Sequence, residues 1–325
     1  MKSEINAGII GAAGYTGGEL LRILLNHPQV KISFAQSKSN AGHFLHDVHT
    51  DLTGDTEMRF SSLSGKADVL FLCSGHGEAR KFMEQTRLST GTKVVDLSQD
   101  FRLKPVDSSG EWVYGLPELN RKQIASCERL ANPGCFATCI QLGLLPLAAA
   151  GLLQTDIHVN ATTGSTGAGQ SLSPTSHFSW RQNNMSIYKA FEHQHLAEIG
   201  QSLRQLQSGF GNTIHFIPQR GAFTRGILAG IYLDSNLTLE EAQHLYKLYF
   251  ETHPFVYISE NPLDIKQVLN TNKCFLHLEK HEGRLLITSV IDNLLKGASG
   301  QAVQNMNLMF GLEEFSGLKL KGSAF

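Results

Sequence analysis

Apolar residues in the first third of the chain switch between two spacings. Residues 5–10 form a short apolar run that ends in glycines, as a buried strand does. Leu20, Leu21, Leu24 and Leu25 then recur at helical spacing within residues 14–27, and Pro28 stops that helix. Residues 30–35 alternate like a strand. Residues 68–73 are a buried-strand run, 78–88 read as a helix and 93–97 as another strand. Strand–helix–strand order on this scale predicts a parallel sheet with helices on both faces.

Beyond Cys135 the pattern changes. Residues 136–150, rich in Ala and Leu, read as a helix, 156–162 as a strand and 164–185 as a polar Gly/Ser-rich loop. A helix is expected over 191–206. Strands follow at 213–217, 226–233, 274–280 and 284–291, and the last two flank His281-Glu282-Gly283 as a hairpin. Residues 239–253 form a helix whose start is marked by Thr238 and Glu241 at capping-box spacing. Hairpin strands with helices grouped apart indicate an α+β domain. A last helix is expected over 297–310, and the domain boundary lies near residue 134.

Length agrees with that division: 325 residues at about 150 per domain make about two domains. Lys+Arg 28 against Asp+Glu 29 leaves a net charge of −1. That balance argues against nucleic-acid binding and against a polybasic membrane surface. The longest apolar run, 144–153, is broken by Pro146 and Gly151 and is too short to cross a bilayer, and no signal peptide precedes the first strand. Five cysteines without a C-x-x-C pair read as reduced thiols in a cytoplasm, with no metal site expected.

The run Gly11-Ala-Ala-Gly14-Tyr15-Thr16-Gly17 follows a predicted strand and opens a predicted helix. Glycines there let the backbone turn sharply and approach a pyrophosphate at the helix N-terminus, although the same run suits a tight turn with no ligand. At the end of the second strand an NAD binder carries a carboxylate for the ribose. Here the residues are Gln36-Ser37-Lys38-Ser39, which suit the 2′-phosphate of NADP or, alternatively, a solvated loop.

Asn132-Pro133-Gly134-Cys135 places a thiol in the first turn of a helix, where the dipole favours the nucleophilic thiolate. Cys139, one turn on, is either packing or a redox neighbour. His195 and Glu198 stand at i, i+3, so the carboxylate can fix the imidazole, while His193 is expected to point away from the pair. Arg102 and Arg225 suit bidentate recognition of phosphate or carboxylate, or else ion pairs within the protein. Together these groups fit one chemistry, NADPH reduction of an acyl phosphate through a thioester.

Residues 11–17, Asp96-Leu-Ser-Gln-Asp-Phe-Arg102, Tyr114-Gly-Leu-Pro-Glu118, residues 132–138, Gly164-Ser-Thr-Gly-Ala-Gly169 and the run 292–305 resemble the N-acetyl-γ-glutamyl-phosphate reductase family almost end to end. That family is the arginine-biosynthesis relative of aspartate-semialdehyde dehydrogenase. The resemblance implies a Rossmann-type α/β NADP-binding domain over 1–134 plus 297–325. It implies an α+β catalytic and oligomerisation domain over 135–296, with the C-terminal helix returning to the first domain. It implies Cys135 as nucleophile, His195 as acid/base, Glu198 as its orienting group, His193 near the substrate and Arg102 as a phosphate-binding arginine of the wider superfamily, and Arg225 is a further substrate-binding candidate. Gly297 and Gln301 join Gly11, Gly14, Tyr15, Thr16, Gly17, Ser37 and Lys38 as cofactor residues. A cytoplasmic homo-oligomer, dimer or tetramer, acting on a small acyl phosphate is expected.

The chain departs from the family pattern in places. Its His193-Gln194-His195-Leu196-Ala197-Glu198 lacks the usual Arg and Pro, and Gln170 stands where an Arg is usual. N-succinyl-glutamyl, aminoadipyl or aspartyl phosphate are alternative substrates. A non-catalytic NADP sensor and a cysteine hydrolase are more distant alternatives.

Overall fold

The computed structural model describes residues 4–62, 65–75, 77–103 and 112–323. The chain forms two compact units, Met1–Pro133 with Ala298–Lys319, and Gly134–Gly297 with Leu320–Phe325.

The first unit runs β1 (Ile5–Ile10), α1 (Tyr15–Leu25), β2 (Val30–Gln36), the single turn α2 (Leu45–Val48), β3 (Val69–Leu72), α3 (Glu78–Gln85), β4 (Lys93–Asp96), β5 (Val113–Tyr114), α4 (Pro117–Ser126) and β6 (Arg129–Ala131). The strands form one sheet in the order β2-β1-β3-β4-β6-β5, and every pairing is parallel. All four residues of β3 are buried, which is why it reads as a continuous apolar run. From β1 the chain steps outward to β2 and then back past β1 to β3. That reversal opens a crevice at the carboxyl ends of β1 and β3, where open α/β sheets bind ligands. The periodicity did not show β5, α4 or β6. Strands of two and three residues are too short to alternate, and α4 begins at Pro117 and is irregular at Asn120.

The second unit runs α5 (Cys135–Ala149), β7 (Ile157–Thr163), the single turn α6 (Phe178–Arg181), β8 (Ser186–Ile187), α7 (His195–Leu206), β9 (Ile214–Arg220), β10 (Ile227–Asp234), α8 (Leu239–Phe250), β11 (Val256–Ser259), β12 (Cys274–His281) and β13 (Arg284–Ile291). Its sheet has the order β11-β12-β13-β10-β7-β9-β8. The β7–β9 and β11–β12 pairs are parallel and the others antiparallel. Helix α5 is buried throughout from Phe136 to Ala148 and packs on β10 and β13. Cys139 belongs to that packing: it is fully buried and its thiol lies against Ser289. The expected capping box of α8 is present, with Thr238 Oγ1 accepting from the Glu241 amide at 3.2 Å and the Thr238 amide donating to Glu241 Oε2 at 2.8 Å.

The chain re-enters the first unit as α9 (Ser299–Met309), almost wholly buried. Its Asn305 donates to Gly115 O at 2.8 Å, and Ser299 Oγ donates to Thr16 O at 2.9 Å. Among the described residues no helix is long and apolar enough to cross a membrane.

Candidate active site

In the first unit the crevice is shaped by glycines. Gly11 adopts φ +78°, and a Cβ there would lie 2.9 Å from the Cys73 backbone just beyond β3. A Cβ on Gly17 would lie 2.6 Å from Ala12 Cα. The loop is pinned by Gly11 and Ala12 amides donating to Gln36 O at 3.1 and 2.9 Å. Gly14 is the N-cap of α1 and brings no side-chain cap, and the first turn carries no acidic residue. The start of α1 therefore presents amide donors and positive dipole to an anion. The cradle fits a dinucleotide pyrophosphate. Tyr15 is part-exposed at its rim.

Ser37 and Lys38 follow directly on β2. Ser37 is buried, its amide donating to Ser61 O and its hydroxyl accepting from Asn40, whereas Lys38 is exposed. Gln301 is fully buried in the first turn of α9. Arg102 is also buried, and its Nε and Nη2 donate to the Asn132 and Leu97 carbonyls at 2.9 Å each. Beside it, burial pushes the Asp96 carboxyl up to about 6, against the pull of hydrogen bonds from Ser98.

In the second unit the sequence's catalytic candidates come together. Cys135 is the first residue of α5, and Gly134 is its N-cap. The Gly134 amide donates to Glu198 Oε2 at 3.0 Å. Glu198 Oε1 lies 3.8 Å from His195 Nε2, and both side chains are buried. A Cβ on Gly134 would stand 2.2 Å from His195 Nε2, so the imidazole rests against the backbone immediately before the thiol. On another side of the thiol, a Cβ on Gly297 would come within 2.8 Å of Cys135 Cβ.

His193 does not point away from this pair. Helix α7 starts at His195, four residues later than the apolar spacing indicated, and Lys189 and Phe191 adopt φ +47° and +65°. The non-helical entry folds His193 inward until its ring lies 4.6 Å from that of His195. The His195 amide donates to His193 Nδ1 at 3.2 Å, which leaves Nε2 to carry the proton of the neutral ring. Burial lowers the His193 pKa to about 4, helped by the charges of Lys189 and Arg220 and opposed by Glu198. His193 is therefore a neutral hydrogen-bond donor at neutral pH. Phe136 packs edge-on against both histidines and Phe216.

Arg225 is held in an ion pair. Its Nε and Nη2 donate to both Asp292 carboxylate oxygens at 3.1 and 3.2 Å. Sequence reading missed Arg220, at the end of β9, and its coupling to Tyr188, whose ring lies 4.6 Å beneath the guanidinium. No local pattern marks either residue, because their meeting depends on the β8–β9 pairing, Ser186 against Arg220.

Two family models match the chain: "Semialdehyde dehydrogenase, NAD binding domain" over residues 6–127 and "Semialdehyde dehydrogenase, dimerisation domain" over residues 135–293. The N-acetyl-gamma-glutamyl-phosphate reductase of Christiangramia forsetii is 58% identical over 99% of this chain and 100% of its own length. The enzyme of that name from Parabacteroides distasonis is 56% identical over the same shares. Among solved structures, aspartate semialdehyde dehydrogenase II of Vibrio cholerae, complexed with ASA, superposes with a TM-score of 0.73 over 95% of this chain and 99% of its own, at 16% identity. Aspartate semialdehyde dehydrogenase with NADP from Candida albicans gives 0.69 at 14% identity, over 95% of this chain and 99% of its own. The distant structures share the fold alone; the near relatives, more than half identical over almost the whole chain, together with the two family models show that the chain belongs to the N-acetyl-γ-glutamyl-phosphate reductase family of semialdehyde dehydrogenase-type oxidoreductases.

Proposed function

We propose that this chain reduces N-acetyl-γ-glutamyl phosphate to N-acetyl-glutamate 5-semialdehyde and phosphate with NADPH, as a step of arginine biosynthesis. The observation that carries the reading is the cluster at the start of α5, where a thiol, an imidazole and a carboxylate meet around the Gly134 backbone. In this reading the Cys135 thiolate attacks the acyl carbon, the carbon–oxygen bond to phosphate breaks and a thioester remains on Cys135. Amides at the N-terminus of α5 hold the developing oxyanion. His195 handles the proton on the carbonyl oxygen, and Glu198 holds His195 and the Gly134 backbone together. Neutral His193 donates to the substrate, and Arg102 is read as a phosphate ligand.

Gly11, Gly14, Thr16 and Gly17 of the cradle would hold the pyrophosphate, and Ser37 and Lys38 the 2′-phosphate. Bound there, NADPH supplies the hydride. Arg225, paired with Asp292, positions its loop. The second unit, which matches the dimerisation model, is read as the surface of a homo-oligomer, and the compartment as the cytoplasm.

The test is the reverse reaction, followed by the appearance of NADPH from NADP⁺, phosphate and a semialdehyde. Phosphate-dependent turnover of N-acetyl-glutamate semialdehyde is expected. Turnover independent of phosphate, or a preference for aspartate semialdehyde, would reject the assignment.

A further inference from the structure

Two arginines of the second unit stand together, and among the described residues no acid pairs with them. Arg181, in α6, is 8% exposed. Its Nη1 donates to Arg220 O at 2.8 Å and Asn184 O at 3.4 Å, and its Nη2 to Thr175 O at 3.2 Å. Those partners are all backbone carbonyls. The Nε atoms of both Arg181 and Arg220 are buried with no hydrogen-bond partner. No carboxylate pairs with either guanidinium among the described residues, and burial first, then the charge of Arg220, lowers the Arg181 pKa. Unpaired donors in two adjoining, partly desolvated cations are costly, and an arriving anion would relieve that cost.

The pair also lies beside the reacting groups. The Arg220 guanidinium sits over Tyr188, the Tyr188 ring is 5.8 Å from that of His193, and the His193 ring is 4.6 Å from that of His195. Arg220 and Cys135 both act electrostatically on Tyr188. Arg225, the arginine that the sequence analysis named for this unit, is already bidentate to Asp292.

We propose that Arg220, backed by Arg181, is the receptor for a substrate carboxylate in this active site. The inference rests on the reductase reading for its substrate and deepens it. An N-acyl-glutamyl phosphate carries a carboxylate that takes no part in the chemistry, and a guanidinium fork matches it with two parallel hydrogen bonds. Arg220 makes the contact, and Arg181 fixes the Arg220 backbone and adds charge.

The experiment compares wild type, Arg220→Gln and Arg220→Lys in the phosphate-dependent reverse reaction. The substrates are N-acetyl-glutamate semialdehyde and its carboxylate-free analogue, 4-acetamidobutanal. Arg220→Gln is expected to raise the KM of the first about 10- to 100-fold, the worth of a charge-assisted contact, with kcat within about threefold. KM for phosphate and NADP⁺ should stay unchanged, Arg220→Lys should recover part of the loss, and the analogue should be indifferent to both substitutions. Equal losses for the two aldehydes would overturn the proposal and make Arg220 structural. A loss confined to a substrate whose acyl group bears its own carboxylate would support the receptor and move it to the acyl end. Calorimetric titration with N-acetylglutamate needs no turnover. Affinity unchanged by Arg220→Gln there would overturn the receptor, whereas a wild type that binds through Arg220 yet never reduces NADP⁺ would sink the reductase reading alone.

Discussion

The cradle of the first unit is built of backbone, and the cluster of the second is built of side chains. Around Gly11 and Gly17 what matters is the Cβ atoms that are missing, because each would strike main chain less than 3 Å away. Around Cys135 what matters is the groups that are present, two histidines and a glutamate, all buried. The two modes meet at Gly134. There a residue without a side chain lets the His195 ring close on the backbone, and its amide holds Glu198. A binding surface for a pyrophosphate has to offer many equivalent donors at close range. A proton-transfer site has to fix a few inequivalent groups, which takes packing and burial.

The sharpest way to break this comparison is Cys135→Ser, which should abolish turnover while NADP still binds, because a serine hydroxyl stays protonated where a thiol ionises. Retained activity together with retained binding would remove the thiol from the chemistry. Gly134→Ala comes next. Its new methyl would stand where His195 now packs, so the rate should fall by roughly 10²–10⁴, the scale of losing a general acid/base. Full activity in that variant would show that the imbedded glycine is not what positions the ring.

Lys38→Ala tests the first unit alone. NADP binding should weaken by about 1–2 kcal/mol, the worth of one charge-assisted contact at an exposed site. NAD binding should barely change. Equal losses for the two cofactors, measured by titration, would move Lys38 from the 2′-phosphate to the shared pyrophosphate.

The smallest effect is one of acid stability. Burial lowers the pKa of His27 and His49 in the first unit, and of His193 in the second to about 4. Against an unfolded value near 6.5, unfolding takes up protons below that pH. The contribution of His193 is therefore whole above about pH 6.5 and drains away as pH falls to about 4. Melting curves of His193→Gln should lose part of their slope between those pH values and keep the part owed to His27 and His49. An unchanged slope would mean that His193 titrates normally.

What was legible in the sequence follows from the same contrast. A backbone cradle is written in consecutive residues, so Gly11–Gly17 between a strand and a helix could be read directly. Cys135 could be read from the Pro-Gly turn before it, and the His195–Glu198 pair from helical spacing. The inward turn of His193 could not, because it depends on positive φ at Lys189 and Phe191, residues with no glycine to announce it. Arg220 was invisible for a related reason. Tyr188 reaches it through a two-residue edge strand that carries no periodic signal, and Arg181 reaches it from the single turn α6. The buried strand β3 and the capping box of α8 were plain because each obeys a local rule that tertiary packing leaves intact.

The first unit is assembled from two stretches of chain, with α9 arriving only after residues 134–297. Proteins are synthesised from the N-terminus at about 5–20 residues per second. On the ribosome, Met1–Pro133 therefore emerges on the order of ten seconds or more before the helix whose Asn305 and Ser299 tie it down. During that interval residues 134–297 can already fold, while the nucleotide-binding sheet waits for the helix that packs on α1 and α4. The stretch of this chain that is born first is thus completed only by one of the last.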